Sequence, residues 1–140
     1  MPSEASKRVL VTGAAGGLGL EVALRLGGRG CAVGAADIDR AGVEATVARL
    51  RDIGGEAEAI PGDLTAEGMP EETVDRMVRR WGGIDALVNN AAYGVIEPFL
   101  ESTRGAWMRT LSINVAALAL LSVAAGRVMR GQRSGSRTTR

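Results

Sequence analysis

A glycine-rich stretch between an apolar run and a helical pattern constrains the fold of this chain more than any other feature. Residues 7–12 (KRVLVT) are typical of a short strand, GAAGGLG follows from Gly13 to Gly19, and a helical pattern then runs to about Gly28. A phosphate ligand needs backbone N–H groups that no side chain obstructs, and a glycine-rich turn between a strand and a helix provides them. Gly13 permits a tight turn, Gly17 lets the backbone approach a pyrophosphate, and Gly19 allows close packing of a helix whose N-terminus is partly positive. By itself a glycine triplet is weak evidence, because such turns also occur without a ligand.

The alternation of strand and helix continues along the chain. Further strands are predicted over residues 31–37, 56–64 and 84–90, and further helices over residues 40–53 and 70–81 and, as a long apolar helix, from Arg104 to Met129. Strands that alternate with helices of ten or more residues form a parallel sheet with right-handed crossovers. We therefore predict an α/β fold with a doubly wound, Rossmann-type parallel sheet of four strands in the order 3-2-1-4.

The C-terminal residues differ in composition from the rest of the chain. Residues 1–126 hold 12 basic and 16 acidic side chains, whereas residues 127–140 hold five arginines and no acid. The last ten residues, GQRSGSRTTR, contain no hydrophobic side chain and cannot form a core strand. We predict one domain over residues 1–129 and a disordered basic tail over residues 130–140, which is not expected to bind nucleic acid because no aromatic residues are interleaved with the arginines.

Several classes of site and location are excluded or disfavoured by composition. The chain has no histidine and one cysteine, Cys31, so it cannot form a Ser-His-Asp triad, a His-ligated metal site or an internal disulfide. No metal site is predicted. No signal-peptide pattern is present at the N-terminus, and the uncharged stretch from Thr110 to Gly126 is slightly shorter than the roughly 20 residues that a membrane span needs. We expect a cytoplasmic protein without a membrane span.

Asp37 strengthens the interpretation of the glycine turn. It stands at the end of the second predicted strand, 18 residues after Gly19, where a carboxylate can accept hydrogen bonds from both ribose hydroxyls of an adenosine. A carboxylate there repels a 2′-phosphate, and no basic residue stands at Gly16 or just after Asp37. NAD is therefore favoured over NADP.

These motifs, taken in order, resemble those of the short-chain dehydrogenase/reductase family. The spacing Thr12-Gly13-x-x-x-Gly17-x-Gly19 matches the cofactor motif of the family, and Asp37 matches its ribose ligand. The resemblance covers about residues 7–129. The cofactor-binding residues that it implies are Thr12, Gly13, Gly17, Leu18, Gly19, Asp37, Asp63, Leu64, Asn89, Asn90 and Ala91.

The resemblance also assigns a role to each later motif. Asp63-Leu64 looks like the pair that contacts the adenine, and Asn89-Asn90-Ala91-Ala92 is similar to the Asn-Asn-Ala-Gly motif of the family, with Ala92 in place of its glycine. Asn114 on the long helix matches the asparagine of the catalytic site. The substrate that the resemblance implies is a small-molecule alcohol or carbonyl compound, and the 104–129 helix is a possible surface for a homo-oligomer.

One departure from the family concerns catalysis. In the family, the helix that carries the asparagine leads into a fifth strand ending at a catalytic Ser, followed by Tyr-x-x-x-Lys. Here the single tyrosine, Tyr93, precedes Glu97 by four residues, and the single lysine, Lys7, lies in the first strand. Because carbinol oxidation needs a group that accepts the hydroxyl proton, we expect a truncated dehydrogenase that is inactive alone. The alternatives are a non-catalytic NAD-binding or interaction module and a remnant that does not fold stably.

Overall fold

The computed structural model describes residues 7–137, and the side chains of residues 7–133. Four strands alternate with helices: β1 (Arg8–Thr12), α1 (Gly17–Gly28), β2 (Ala32–Asp37), α2 (Arg40–Asp52), β3 (Ala57–Pro61), α3 (Met69–Trp81) and β4 (Ala86–Val88). A short 3₁₀ turn, Phe99–Glu101, then precedes α4 (Arg104–Leu111), a π-helical segment (Ser112–Ala117) and α5 (Leu118–Arg137).

The four strands form one parallel sheet in the order β3-β2-β1-β4. This confirms the predicted fold class and strand order. Strands β2 and β3 lie on one side of β1, and β4 lies on its other side, so the strand order reverses next to β1. In open parallel sheets, ligands bind at such a reversal, outside the carboxyl ends of the strands. The carboxyl ends here are Thr12, Asp37, Pro61 and Val88.

The sheet is covered on both faces, which explains why the central residues of β1 and β2 are uninterrupted apolar runs rather than an alternating pattern. One face packs on α1 and α2 through a cluster that includes Val11, Val33, Val43 and Leu50. The opposite face packs on α3 and α5 through Leu10, Ile60, Met77, Ile84 and Leu121. These two buried layers hold the strand ends at fixed positions.

An ion pair joins β1 to the residues that precede β4, at the end of the sheet where the parallel strands begin, here called the amino edge. Two guanidinium nitrogens of Arg8 donate to the Asp85 carboxylate, each at 2.8 Å, and the backbone N–H of Arg8 donates to it as well. Hydrogen bonding from Arg8 holds the pKa of Asp85 below its ordinary value. The pair lies at the edge of the sheet opposite to the strand ends that form the cleft described below.

The C-terminal helix differs from the prediction in its continuity and its end. The predicted single helix over Arg104–Met129 is interrupted by the π-helical turn, and α5 extends past Met129 to Arg137; the predicted disorder of the basic tail stays a prediction. A tertiary contact accounts for this extension: the Gln132 side chain accepts from the Ile84 N–H at 2.9 Å and donates to the Ile84 carbonyl at 3.0 Å. Residues 138–140 of the predicted tail lie outside the described residues.

The long C-terminal helix also passes a length and composition test for a membrane span. Within the described chain, residues Arg104–Arg133 are continuously helical, and their most apolar window of 18 residues has a mean hydropathy of 1.7 and is 17% buried. The predicted absence of a span relied on a shorter uncharged stretch, and the folded helix is longer than that stretch. Core helices of water-soluble proteins pass the same test, so the test does not establish a membrane location.

Candidate cofactor-binding site

A cleft of about 400 Å³ lies at the carboxyl ends of the strands. It opens where the strand order reverses, between the loops that follow β1, β2, β3 and β4. The residues that line it are Thr12, Gly13, Gly16, Asp37, Ile38, Gly62, Asp63, Leu64, Thr65, Asn89, Asn90, Ala91, Ala92, Tyr93, Arg109, Ile113, Ala117 and Leu118.

The glycine turn forms the floor of one end of this cleft. Gly13 and Gly17 have φ of +66° and +53°, values that favour glycine. A Cβ on Gly13 would lie 2.8 Å from the Asn90 side-chain nitrogen, and a Cβ on Gly19 would clash with the Gly13 carbonyl. Two of the three motif glycines therefore allow the loop, α1 and the residues after β4 to pack against one another.

The N-terminus of α1 is arranged to receive an anion. Its N-cap residue is Gly16, which provides no side-chain cap, and the first turn of α1 holds no acidic residue. By contrast, α2 is capped by Asp39 and α4 by Thr103. The first N–H groups of α1 therefore have no side-chain acceptor, and the partial positive charge of the helix end adds to their attraction for a phosphate.

A buried threonine on α2 holds the glycine turn in place. The Thr46 hydroxyl donates to the Ala14 carbonyl at 2.8 Å, while the Ala14 N–H donates to the Ala36 carbonyl at 3.1 Å. Thr46 is thus a supporting residue of the site, although no motif in the sequence identified it. The sequence pattern of α2 indicated only which of its residues face the core.

Asp37 lies at the end of β2, half-buried beside the glycine turn. One carboxylate oxygen accepts from the Ala15 N–H and the other from the Asp39 N–H, each at 3.0 Å. These two bonds fix the carboxylate toward the cleft, which it lines. Carboxylate oxygens accept more than one hydrogen bond each, so the group retains capacity for hydroxyl donors from a ligand.

Thr12 connects the end of β1 to the residues after β4. Its hydroxyl oxygen is buried and accepts from the N–H groups of Asn90 and Ala91, both at 3.0 Å, while its proton is directed at the Val88 carbonyl. The Asn90 side chain donates to the Gly13 carbonyl, although that contact is long at 3.4 Å. Thr12 therefore sets the course of the chain along one wall of the cleft.

Replacing this hydroxyl should destabilise the fold. In Thr12→Val the shape is nearly conserved, but the N–H groups of Asn90 and Ala91 lose their acceptor, so the free energy of unfolding should fall by about 1–3 kcal/mol. Urea unfolding followed by circular dichroism measures this. Thr110→Val is the matched control, because the Thr110 hydroxyl donates only to the Ala106 carbonyl of its own helix. An equal loss in both variants would contradict the role given to Thr12.

Asn114 lies in the π-helical segment, and both polar atoms of its side chain are hydrogen-bonded to backbone. Its Oδ1 accepts from the Tyr93 N–H and its Nδ2 donates to the Tyr93 carbonyl, both at 2.8 Å. These bonds attach the segment after β4 to the helix. The side chain thus positions the wall of the cleft, and the catalytic role implied for Asn114 stays a prediction.

Asp63 follows β3 and marks the other end of the cleft. Its carboxylate accepts from the Thr65 N–H at 2.9 Å and from the Thr65 hydroxyl at 2.7 Å. These two hydrogen bonds, and to a smaller extent the positive charge of Arg109, lower the pKa of Asp63 below its ordinary value. The group is therefore a carboxylate near neutral pH and can accept from an amino group.

Most of the residues that the sequence indicated lie together in this cleft. The ones that line it are Thr12, Gly13, Asp37, Asp63, Leu64, Asn89, Asn90 and Ala91. Gly17 and Gly19 stand just behind the lining, at the start of α1, and Asn114 adjoins it next to Ile113. Leu18 does not line the cleft and its side chain is exposed. These placements bring the predicted set to one site, and their individual roles remain predictions.

Other lining residues were not identified from the sequence as parts of a site. They include Ile38, Tyr93, Arg109 and Ile113, from the loops after β2 and β4 and from the helical segment after them. No short motif marks these residues, and the approach of Arg109 and Ile113 depends on how the helical segment packs on the rest of the chain. Among the described residues, no cluster of three or more histidine, cysteine, aspartate or glutamate side chains could hold a metal ion.

Comparison with known proteins places the chain in a family. A family model described as short chain dehydrogenase matches residues 7–136. Sorbitol dehydrogenase of Cereibacter sphaeroides is 38% identical over 92% of this chain, and 5-keto-D-gluconate 5-reductase of Escherichia coli strain K12 is 33% identical over 95%. The chain belongs to the short-chain dehydrogenase family.

Solved structures agree with this assignment. An NAD⁺-bound xylitol dehydrogenase matches with a TM-score of 0.87 and 38% identity over 94% of this chain and 51% of that one. A short-chain type dehydrogenase/reductase from Mycobacterium marinum matches with a TM-score of 0.87 and 31% identity, over 91% and 51% of the two chains. The sorbitol dehydrogenase and the 5-keto-D-gluconate 5-reductase are covered over 50% and 52% of their lengths, so the chain spans about half of these curated relatives.

Proposed function

We propose that this chain is the NAD-binding part of an oxidoreductase that interconverts a small-molecule alcohol and its carbonyl compound. The observation that carries the proposal is the position of Asp37. Its carboxylate is fixed by two backbone N–H groups at the edge of a cleft whose neighbouring wall contains the uncapped N-terminus of α1. An acceptor for ribose hydroxyls beside a site for a pyrophosphate matches one half of a dinucleotide.

The donor and acceptor groups of the cleft fit this cofactor from end to end. The N–H groups at the start of α1 would hold the pyrophosphate, Asp37 the adenosine ribose, and Asp63 with Leu64 the adenine. Asn89, Asn90 and Ala91 would lie beside the rest of the dinucleotide. When bound, the nicotinamide gives or takes a hydride, and the residues described here bind and orient it.

NAD is the form that the residues around Asp37 favour. A 2′-phosphate would place two negative charges next to the Asp37 carboxylate, and the positions where a cation could offset them hold Gly16 and Ile38. Gly16 and Ile38 both line the cleft. Support also comes from the xylitol dehydrogenase structure, which was determined with NAD⁺ bound.

Oxidation of an alcohol also needs a group that accepts the hydroxyl proton. The described residues do not place a tyrosine and a lysine together in the cleft. Tyr93 lines the cleft, but Lys7 precedes β1 at the amino edge of the sheet, the edge opposite to the cleft. The two side chains therefore cannot act as a pair. We propose that the 140-residue chain alone binds the cofactor without turnover, and that the whole protein completes the reaction with groups outside these residues.

The substrate class and the setting of the protein are proposals as well. Three relatives are named for sorbitol, xylitol and 5-keto-D-gluconate, so a polyol or its keto form is the substrate class to test first in the whole protein. Cys31 is buried and needs no oxidising compartment, which is consistent with a cytoplasmic location. Val115, Leu120 and Val123 leave an apolar helix face exposed, which is consistent with contact between copies.

Titration of the purified 140-residue chain with NADH and, separately, NADPH tests the proposal. Thermal unfolding followed by circular dichroism should show a concentration-dependent rise in midpoint with NADH, because a ligand that binds only the folded state stabilises it. NADPH should have a much smaller effect at the same concentration. A folded chain that neither nucleotide stabilises would overturn the proposal. Binding by a whole-length protein that reduces no carbonyl compound would instead support a non-catalytic NAD-binding module.

A further inference from the structure

The side chains that line the cleft carry more negative than positive charge, which affects the binding of an anionic ligand. Among the lining residues named above, Asp37 and Asp63 are negative, and Arg109 is the only one that is positive. A dinucleotide carries two negative charges on its pyrophosphate. A cleft walled by two carboxylates repels such a ligand unless a nearby cation offsets part of their field.

Arg109 is held where it can offset that field. It lies on α4, and its guanidinium carbon stands 4.7 Å from the centroid of the Tyr93 ring, a cation–π contact. Tyr93 is in turn fixed by the two hydrogen bonds between its backbone and the Asn114 side chain. The ring therefore favours this position of the exposed guanidinium before any ligand binds.

Arg109 also acts on the Asp63 end of the cleft, which both residues line. Its charge contributes to the lowered pKa of Asp63, after the two hydrogen bonds from Thr65. Because a guanidinium retains donors at its edge while its face rests on an aromatic ring, Arg109 can still donate to an oxygen or ring nitrogen of a ligand.

We propose that Arg109 is a nucleotide-binding residue that supplies the positive charge needed beside Asp63, with Tyr93 as the platform that orients it. The inference rests on the proposed function, because it assigns a new residue to the same cleft. It places the action of Arg109 on the adenosine half of the ligand, so an adenosine nucleotide without the nicotinamide should respond to its removal as the whole cofactor does.

The test compares AMP and NADH binding to the 140-residue chain and to its variants by isothermal titration calorimetry. Arg109→Met should weaken both ligands by a similar factor, about fivefold, as expected for loss of one moderate charge contact. Arg109→Gln should behave in the same way, and Arg109→Lys should retain most of the affinity. Wild-type affinity should also fall more steeply with added salt than that of Arg109→Met, because screening acts on the charge that the variant lacks.

Arg104→Met is the matched control, since Arg104 begins the same helix, is exposed and does not line the cleft. It should bind AMP and NADH like the wild type. Failure of the wild type itself to bind either nucleotide would refute the proposed function. If the wild type binds and Arg109→Met or Arg109→Gln binds equally well, the role of Arg109 is overturned while the proposed function stands. The same conclusion follows if Arg104→Met weakens binding as much as Arg109→Met does.

Discussion

Replacing Gly19 by alanine is expected to weaken NADH binding by about tenfold, which corresponds to about 1.4 kcal/mol of binding free energy, because overpacking shifts the surrounding backbone. The added Cβ would overlap the Gly13 carbonyl and approach the Asn90 side chain. Both neighbours belong to the cleft, so α1 and the glycine turn must move apart, which displaces the N–H groups that face the pyrophosphate. Calorimetric titration with NADH gives the affinity directly.

Gly28→Ala is the matched control for this substitution. Gly28 ends the same helix, and a Cβ there would meet no atom within 4 Å. Its affinity for NADH should equal that of the wild type, and its thermal midpoint should be unchanged or slightly higher because alanine favours helix more than glycine does. The importance of close packing at Gly19 would be disproved if Gly19→Ala bound NADH as tightly as Gly28→Ala.

Asp37→Asn is expected to remove the preference for NADH. An amide oxygen can still accept from the Ala15 N–H, but the charge that strengthens hydrogen bonds from the ribose hydroxyls is lost. NADH affinity should fall by about 10- to 100-fold, in the range of the 1.5–3 kcal/mol assigned to hydrogen bonds with charged groups. NADPH affinity should stay the same or rise, because the repulsion of its 2′-phosphate is removed. Parallel titrations with both nucleotides measure the ratio.

Asp39→Asn separates this local effect from the general loss of a carboxylate. Asp39 lies two residues further along and caps α2 by accepting from the Gly42 N–H at 3.0 Å. Asparagine caps helices about as well as aspartate does, so this variant loses a nearby charge while the helix start is preserved. It should retain the NADH preference. A similar drop in preference in both variants would show that overall charge, rather than Asp37, selects the cofactor.

The fold could be predicted from the sequence because its determinants are local. Each strand is a short, largely apolar run followed by a turn, and each helix between strands has an apolar face, as in Val74 and Met77 of α3, both buried. Right-handed crossovers between parallel strands then leave few possible strand orders. The glycine turn and Asp37 could be located for the same reason, since both follow directly from strand ends.

The remaining parts of the site depend on contacts between distant segments. Arg109 reaches the cleft because α4 crosses the strand ends, and Thr46 supports the glycine turn because α2 packs beside it. Neither relation leaves a signal in a short stretch of sequence. The end of the last helix shows the same effect, because the sequence predicted it at Met129 while the contact between Gln132 and Ile84 favours a longer helix.

A crystal structure of the 140-residue chain grown with saturating NADH would show directly whether the cleft binds the dinucleotide. We expect nucleotide density along the carboxyl ends of the strands, with the pyrophosphate at the N-terminus of α1, the adenosine ribose on Asp37 and the adenine at Asp63. Density for the nucleotide at another surface, or an empty cleft in crystals that contain saturating NADH, would contradict it.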